Sequence, residues 1–189
     1  MNFNDDIDNC LRVLHDGGTI LYPTDTVWGL GCDATNSRAV EKIFRIKDRE
    51  EGKSLILLCN SLSMVKMYVR EIPDEVSRII RESLRPVTII YPAAINLAEG
   101  VVAADGSVGI RITSDTFCNE LTAKFGKPVV STSANMSGGK TPALFEEISP
   151  VIIDSVDYVV FYRREDTQRH KPSPVIRIDP DGFVTVLRS

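Results

Sequence analysis

Short runs of apolar and β-branched residues, each closed by glycine, proline or a polar cluster, recur along this chain with helical stretches between them. That rhythm confines it to folds that mix strands and helices around one core. Residues 19–22, 53–59, 87–91, 108–112, 128–131, 158–162, 175–178 and 183–187 read as strands. The unbroken Leu55-Ile56-Leu57-Leu58 predicts an interior position, because a strand covered on both faces has no polar side. Helical spacing marks 7–15, 62–70, 74–83, 117–125 and 143–149 or beyond. A further helix, capped by Asn36 or Ser37, carries Ala39, Val40, Ile43, Phe44 and Ile46 on one face. Residues 23–31 read as a glycine-punctuated loop. With no internal repeat, the expectation is one α/β domain over 1–189, a twisted mixed sheet flanked by helices.

Composition narrows the classes. No run approaches the roughly 20 apolar residues that cross a bilayer, and the first nine residues hold three acids and no basic residue. A soluble cytoplasmic protein is expected. Cys10, Cys32, Cys59 and Cys118 stand alone, so reduced structural thiols are expected rather than a metal site. Lys plus Arg is 22 against 26 Asp plus Glu, a formal charge of -4, which lends bulk electrostatics no role in holding nucleic acid.

Three polar segments sit where strands or helices end, the places where binding groups concentrate. The first holds Thr24, Asp25 and Thr26, able to meet phosphate or carboxylate oxygens; a tight turn with hydroxyl caps explains the same residues. The second is Lys47-Asp48-Arg49, followed by the charged stretch 50–53. In an extended segment Lys47 and Arg49 share a face and could clamp a polyphosphate, whereas a solvated helix end favours the same cations. The third, Ser131-Thr132-Ser133-Ala134-Asn135 before Gly138-Gly139, is a dense donor and acceptor surface suited to a nucleotide. Neither a P-loop nor a dinucleotide fingerprint is present, so a nucleotide site would be assembled from separated segments. Arg111 inside a strand demands an anion or an ion-pair partner. Trp28 suits either ligand stacking or core packing. His15 and His170 belong to no catalytic pattern.

Together, residues 22–31, the pair Lys47 and Arg49, 108–112 and 131–138 resemble, in order along nearly the whole chain, the threonylcarbamoyl-AMP synthase family, the YrdC-like enzymes of tRNA modification. The resemblance implies a concave, partly positive cavity and the conversion of L-threonine, bicarbonate and ATP to threonylcarbamoyl-AMP and pyrophosphate. Magnesium would accompany ATP, and a partner machinery would carry the threonylcarbamoyl group to adenosine 37 of tRNA. It further implies that Lys47 and Arg49 act electrostatically on ATP and the reacting carboxylate, with Thr88, Ser133, Asn135 and Arg188 on the nucleotide. Thr24, Thr26, Arg111, Ser131, Thr132 and Ser173 would take the threonine side, and no protein residue would ligate metal. Trp28 stands where the family commonly has tyrosine, and Leu84-Arg85-Pro86 where Pro-Gly-Pro is usual. The chain corresponds to the family's short, single-domain form, monomeric or homodimeric. Competing readings are an RNA-binding module that holds tRNA on the concave face, and a nucleotide-binding regulatory protein without synthase activity.

Overall fold

A computed structural model describes residues 2–49, 55–83, 85–179 and 181–189; the charged stretch 50–53, the start of the strand expected at 53–59, and Leu84 lie outside the described residues. In chain order the elements are α1 (Phe3–His15), β1 (Ile20–Tyr22), β2 (Gly29–Gly31), α2 (Ser37–Lys47), β3 (Ile56–Cys59), α3 (Leu62–Val65), α4 (Asp74–Glu82), β4 (Thr88–Tyr91) and β5 (Val108–Ile112). There follow α5 (Thr116–Phe125), β6 (Val129–Ser133), α6 (Pro150–Ile153), β7 (Tyr158–Val159), β8 (Val175–Ile178) and β9 (Val184–Arg188). Side chains start the helices as local chemistry requires. Asn2 and Asp5 form a reciprocal capping box on α1, Asn36 accepts from the first turn of α2, and Asp115 does so for α5. Gly126 closes α5 in the left-handed region at φ 72°.

The strands form one nine-stranded sheet in the order β7-β1-β2-β6-β3-β5-β4-β8-β9. Pairing is mixed, as expected: β3/β5, β4/β8 and β1/β7 run parallel and the other neighbours antiparallel. Register and the two-residue period of a strand then divide the side chains. Ile56 pairs with Gly109 and Ser131, Thr88 with Arg111 and Val175, and Ile90 with Gly109, so these residues share one face. The alternate positions Leu57, Ile89, Ile110, Val130 and Ile176 turn to the opposite face and join the buried core. On that core α1 packs against α5, and α5 against β3.

Three expectations are corrected. Part of the loop foreseen at 23–31 is strand β2, inserted between β1 and β6. The helix foreseen over 62–70 stops at Val65, and Val69 instead bridges to Ala94. The helix foreseen over 143–149 is a single 3-10 turn, Phe145–Glu147, after which Pro150 opens α6, since its ring fits a first turn and would clash within a continuing helix. Among the described residues no helix is long and apolar enough to cross a membrane.

Candidate active site

The polar face of the sheet borders a cavity of about 310 Å³. Of the residues singled out from sequence, Thr26, Arg49, Thr88, Arg111, Ser131, Thr132, Ser133, Ser173 and Arg188 line it; Thr24, Lys47 and Asn135 do not. The described lining contains three guanidinium groups and no carboxylate. A concave wall of that charge, with hydroxyls between the cations, attracts anions and offers them directed hydrogen bonds.

One end of the cavity is organised around Ser173. Its hydroxyl lies 2.8 Å from that of Thr88 and accepts from Arg111 Nη1 at 3.2 Å, while Arg188 Nε and Nη2 donate to its carbonyl at 3.0 and 2.8 Å. Strands β4, β5 and β9 are thus tied to an irregular segment far along the chain, and Arg188 is held to the site by the last strand. Asp25 meets Arg111 from the opposite side, Oδ1 to Nη2 at 3.0 Å, and Thr113 donates to Asp25 Oδ2 at 3.1 Å. Burial raises the Asp25 carboxyl above its usual range, opposed by the Arg111 charge. Arg111 Nε is buried with no hydrogen-bond partner among the described residues, so this guanidinium retains a donor for a ligand.

The Thr24 hydroxyl donates to Val27 O at 2.7 Å and lies 3.1 Å from that of Thr26. Thr24 therefore shapes the turn, leaving Thr26 on the cavity wall. Trp28 is packed in the core, its ring 4.8 Å from that of Phe145, and it also borders the cavity.

The shared face expected for Lys47 and Arg49 is not formed. Lys47 ends α2 and Asp48 turns the chain through the left-handed region at φ 47°, so the extended segment that a shared face required is absent, while the charge of Arg49 still reaches Lys47. Arg49 lines the cavity, whereas buried Lys47 runs beneath the 133–139 loop and donates from Nζ to the carbonyls of Ser133 and Asn135. Burial, and then the charge of Arg49, lowers the Lys47 ammonium to about 8. Asn135 closes the same loop through Nδ2 onto Met136 O and Gly139 O.

Ser107, Thr141 and Pro172 line the cavity without having been foreseen. The Gly138-Gly139 turn was the available signal for Thr141, since it brings the chain back toward the Ser131–Ser133 wall.

Residues 12–189 match the family model Sua5_yciO_yrdC, described as "Telomere recombination". The chain belongs to the Sua5/YciO/YrdC family. Within that family it is 32% identical over 174 residues to a threonylcarbamoyl-AMP synthase of Vibrio parahaemolyticus, covering 90% of this chain and 93% of the relative. It is 35% identical over 153 residues to that of Pseudoalteromonas translucida, covering 79% and 82%. Among solved structures, P. abyssi Sua5 complexed with L-threonine superposes with a TM-score of 0.83 at 22% identity, which shows a shared fold. All of this chain corresponds to 54% of that longer one. The family assignment and the mixed α/β architecture expected from sequence both stand.

Proposed function

We propose that this chain is an L-threonylcarbamoyladenylate synthase, consuming L-threonine, bicarbonate and ATP and releasing pyrophosphate. The observation that carries the reading is one cavity bringing Thr26, Arg49, Arg111, Ser131, Ser133, Ser173 and Arg188 together with no acidic residue in its described lining. Its relatives bearing that enzyme's name support the same activity.

The chemistry sets two anions against each other. Bicarbonate supplies carbon dioxide with loss of water, and threonine's amine takes it up and sheds a proton to give an N-carboxylate; its oxygen attacks the α-phosphorus of ATP, the bond from that phosphorus to the α–β bridging oxygen breaks, and pyrophosphate leaves. Fixed guanidinium groups lower the repulsion of that approach, and hydroxyls held by backbone geometry align it. Arg49 and the Ser131–Ser133 wall serve the phosphates. Arg111, held by Asp25 and Ser173, serves the amino-acid carboxylate, with Thr26 beside it. Lys47 supports Ser133 and Asn135 from below.

Among the described residues no cluster of three or more His, Cys, Asp or Glu could hold a metal. A lining of cations and hydroxyls fits magnesium only as part of the substrate, held by ATP's own phosphate oxygens and water. When bound there it would neutralise phosphate charge. The adenylate would pass to a machinery that modifies tRNA.

Mass spectrometry of purified protein incubated with ATP, magnesium, bicarbonate and L-threonine tests the reading. Threonylcarbamoyl-AMP should form, and should vanish when threonine is omitted. Folded protein that binds ATP without forming it would favour a regulatory nucleotide-binding role; salt-sensitive RNA affinity without turnover would favour an RNA-binding one.

A further inference from the structure

The two edges of the sheet are finished differently. Beside β7 the backbone is occupied by side chains: Arg164 donates from Nε to Val160 O and from Nη2 to Val159 O, and the Asp6 carboxylate accepts from the amides of Phe161 and Tyr162. Strand β9 forms the other edge, and among the described residues no strand lies beyond it. Phe183, Val184, Val186 and Leu187 are 44–72% exposed there, half of the eight large apolar side chains exposed among the described residues. Natural edge strands are commonly guarded by a charge or a proline, because their free N–H and C=O groups invite another strand. The run 183–187, Phe-Val-Thr-Val-Leu, holds neither.

Register fixes which backbone groups face outward. Phe183 O accepts from Asp179 N, and Arg177 pairs with Thr185 and Ile178 with Val184, so Phe183 and Thr185 turn their N–H and C=O groups inward to β8. Alternation along the strand then turns those of Val184 and Val186 to the open edge. A register irregularity between β8 and β9 falls only after Val186. The run also reads alike in both directions about Thr185, with valine on either side and a large apolar residue beyond each valine. An isologous contact needs that property, since each strand must be its own complement.

We infer that β9 is an interface for a second copy of this chain, the two strands pairing antiparallel about a two-fold axis at Thr185. Val184 then exchanges both of its outward hydrogen bonds with Val186 of the partner subunit, and Val186 with the partner's Val184. Thr185 faces the partner's Thr185, and the pairs on either side are apolar on apolar, with no charge opposed to a like charge. A foreign strand would owe nothing to the symmetry of the run, whereas a second copy uses all of it. The inference stands apart from the synthase reading, because the contact lies at the sheet edge and its test reads only mass.

Sedimentation velocity at protein concentrations of about 1–100 μM provides the test, on wild type, Thr185→Lys and Thr185→Glu, with thermal melts to establish that each is folded. A short strand pair is a small interface, so wild type should dimerise with a Kd on the order of 10 μM. Either variant alone sets two like charges directly opposite each other and should weaken the dimer about 10-fold. An equimolar mixture of the two sets Lys opposite Glu and should restore it. Wild type that stays monomeric throughout overturns the inference. So does a dimer that both variants leave intact, which would place the contact on another surface, and so does a mixture no more associated than its components. Should either variant fail to fold, Val186→Lys, with its charge at the neighbouring pair, must weaken the dimer in its place.

Discussion

Asp25 and Arg111 form a buried ion pair across the cavity's inner end, Oδ1 to Nη2 at 3.0 Å, with 6% and 5% of their side chains exposed. The pair joins the turn carrying Thr24 and Thr26 to strand β5. It also fixes the direction of a guanidinium that contacts Ser173 on its other side.

Taking one partner from such a pair leaves the other charge without compensation. Asp25→Ala is expected to cost about 3 kcal/mol of stability, and Asp25→Asn, which keeps the shape and an acceptor for Thr113, clearly less. In Asp25→Asn the KM for threonine should rise while the Kd for ATP holds. Because the folded carboxyl titrates above its unfolded value, folded protein binds more protons in that window, and this group's contribution falls as pH rises through it. Urea denaturation of wild type and Asp25→Asn on the acid side of neutrality should show their stability difference changing with pH; a constant difference would remove Asp25 as its source.

Lys47 works in the opposite direction. Its folded ammonium titrates near 8, below a lysine's ordinary 10.5, chiefly through burial. Between those values the unfolded chain binds more protons than the folded one. The cost of the buried charge is therefore present below about pH 8 and is relieved as pH rises. Nucleotide binding should move the other way, because the cation under Ser133 and Asn135 disappears. ATP affinity is expected to fall about 10-fold between about pH 7 and pH 9 as the charge-assisted hold of Lys47 on the Ser133 and Asn135 carbonyls weakens. Lys47→Met should be weaker at neutral pH and flat across the range. Parallel profiles for the two proteins would show that Lys47 does not govern the phosphate end.

The sheet was readable because its strands announce themselves by apolar runs, whereas the placing of Thr88, Arg111, Ser131 and Ser133 on one polar face follows from strand register that the sequence does not show. Strand β2 gave no such signal, since Gly-Leu-Gly has little apolar periodicity and its pairing is dictated by close approach to Tyr22 and Val130. The position of Lys47 beneath the 133–139 loop was hidden for a related reason: the left-handed turn at Asp48, which breaks the extended segment, is a single-residue event. Asp25 and Ser173 are matched to Arg111 by tertiary packing across long sequence separations, which no local pattern records.

That close approach makes Gly31 and Gly109 a contrasting pair. Gly31→Ala would drive a Cβ into a fully buried Tyr22 ring and a rigid carbonyl within the sheet, and should destabilise by about 2–3 kcal/mol. Gly109→Ala meets only ordinary contacts and should leave stability unchanged or raise it by about 0.5 kcal/mol. Urea midpoints at constant m-value provide the comparison, and similar losses at both positions would contradict the distinction.

Arg163 braces the Thr24–Thr26 turn from outside. Its Nη1 donates to Asp115 Oδ2 at 2.8 Å and to Thr24 O at 3.4 Å, and its Nε to Asp166 Oδ2 at 2.7 Å. It adopts φ 67°, a conformation that favours glycine and is held here by those three anchors. Asp115 also caps α5, so one guanidinium couples a helix start, the Thr24 turn and the segment leading to Ser173. Arg163→Ala should cost about 1–2 kcal/mol of stability, the loss of charge-assisted hydrogen bonds at a half-buried site. It should also raise the KM for threonine about 5-fold by loosening the turn that presents Thr26, with ATP affinity intact. Arg163→Lys, which keeps the charge without the fork, should recover stability more than it recovers KM. Equal changes in both substrates' constants, following the loss in melting temperature, would reduce Arg163 to a fold-holding residue with no separate bearing on the threonine side.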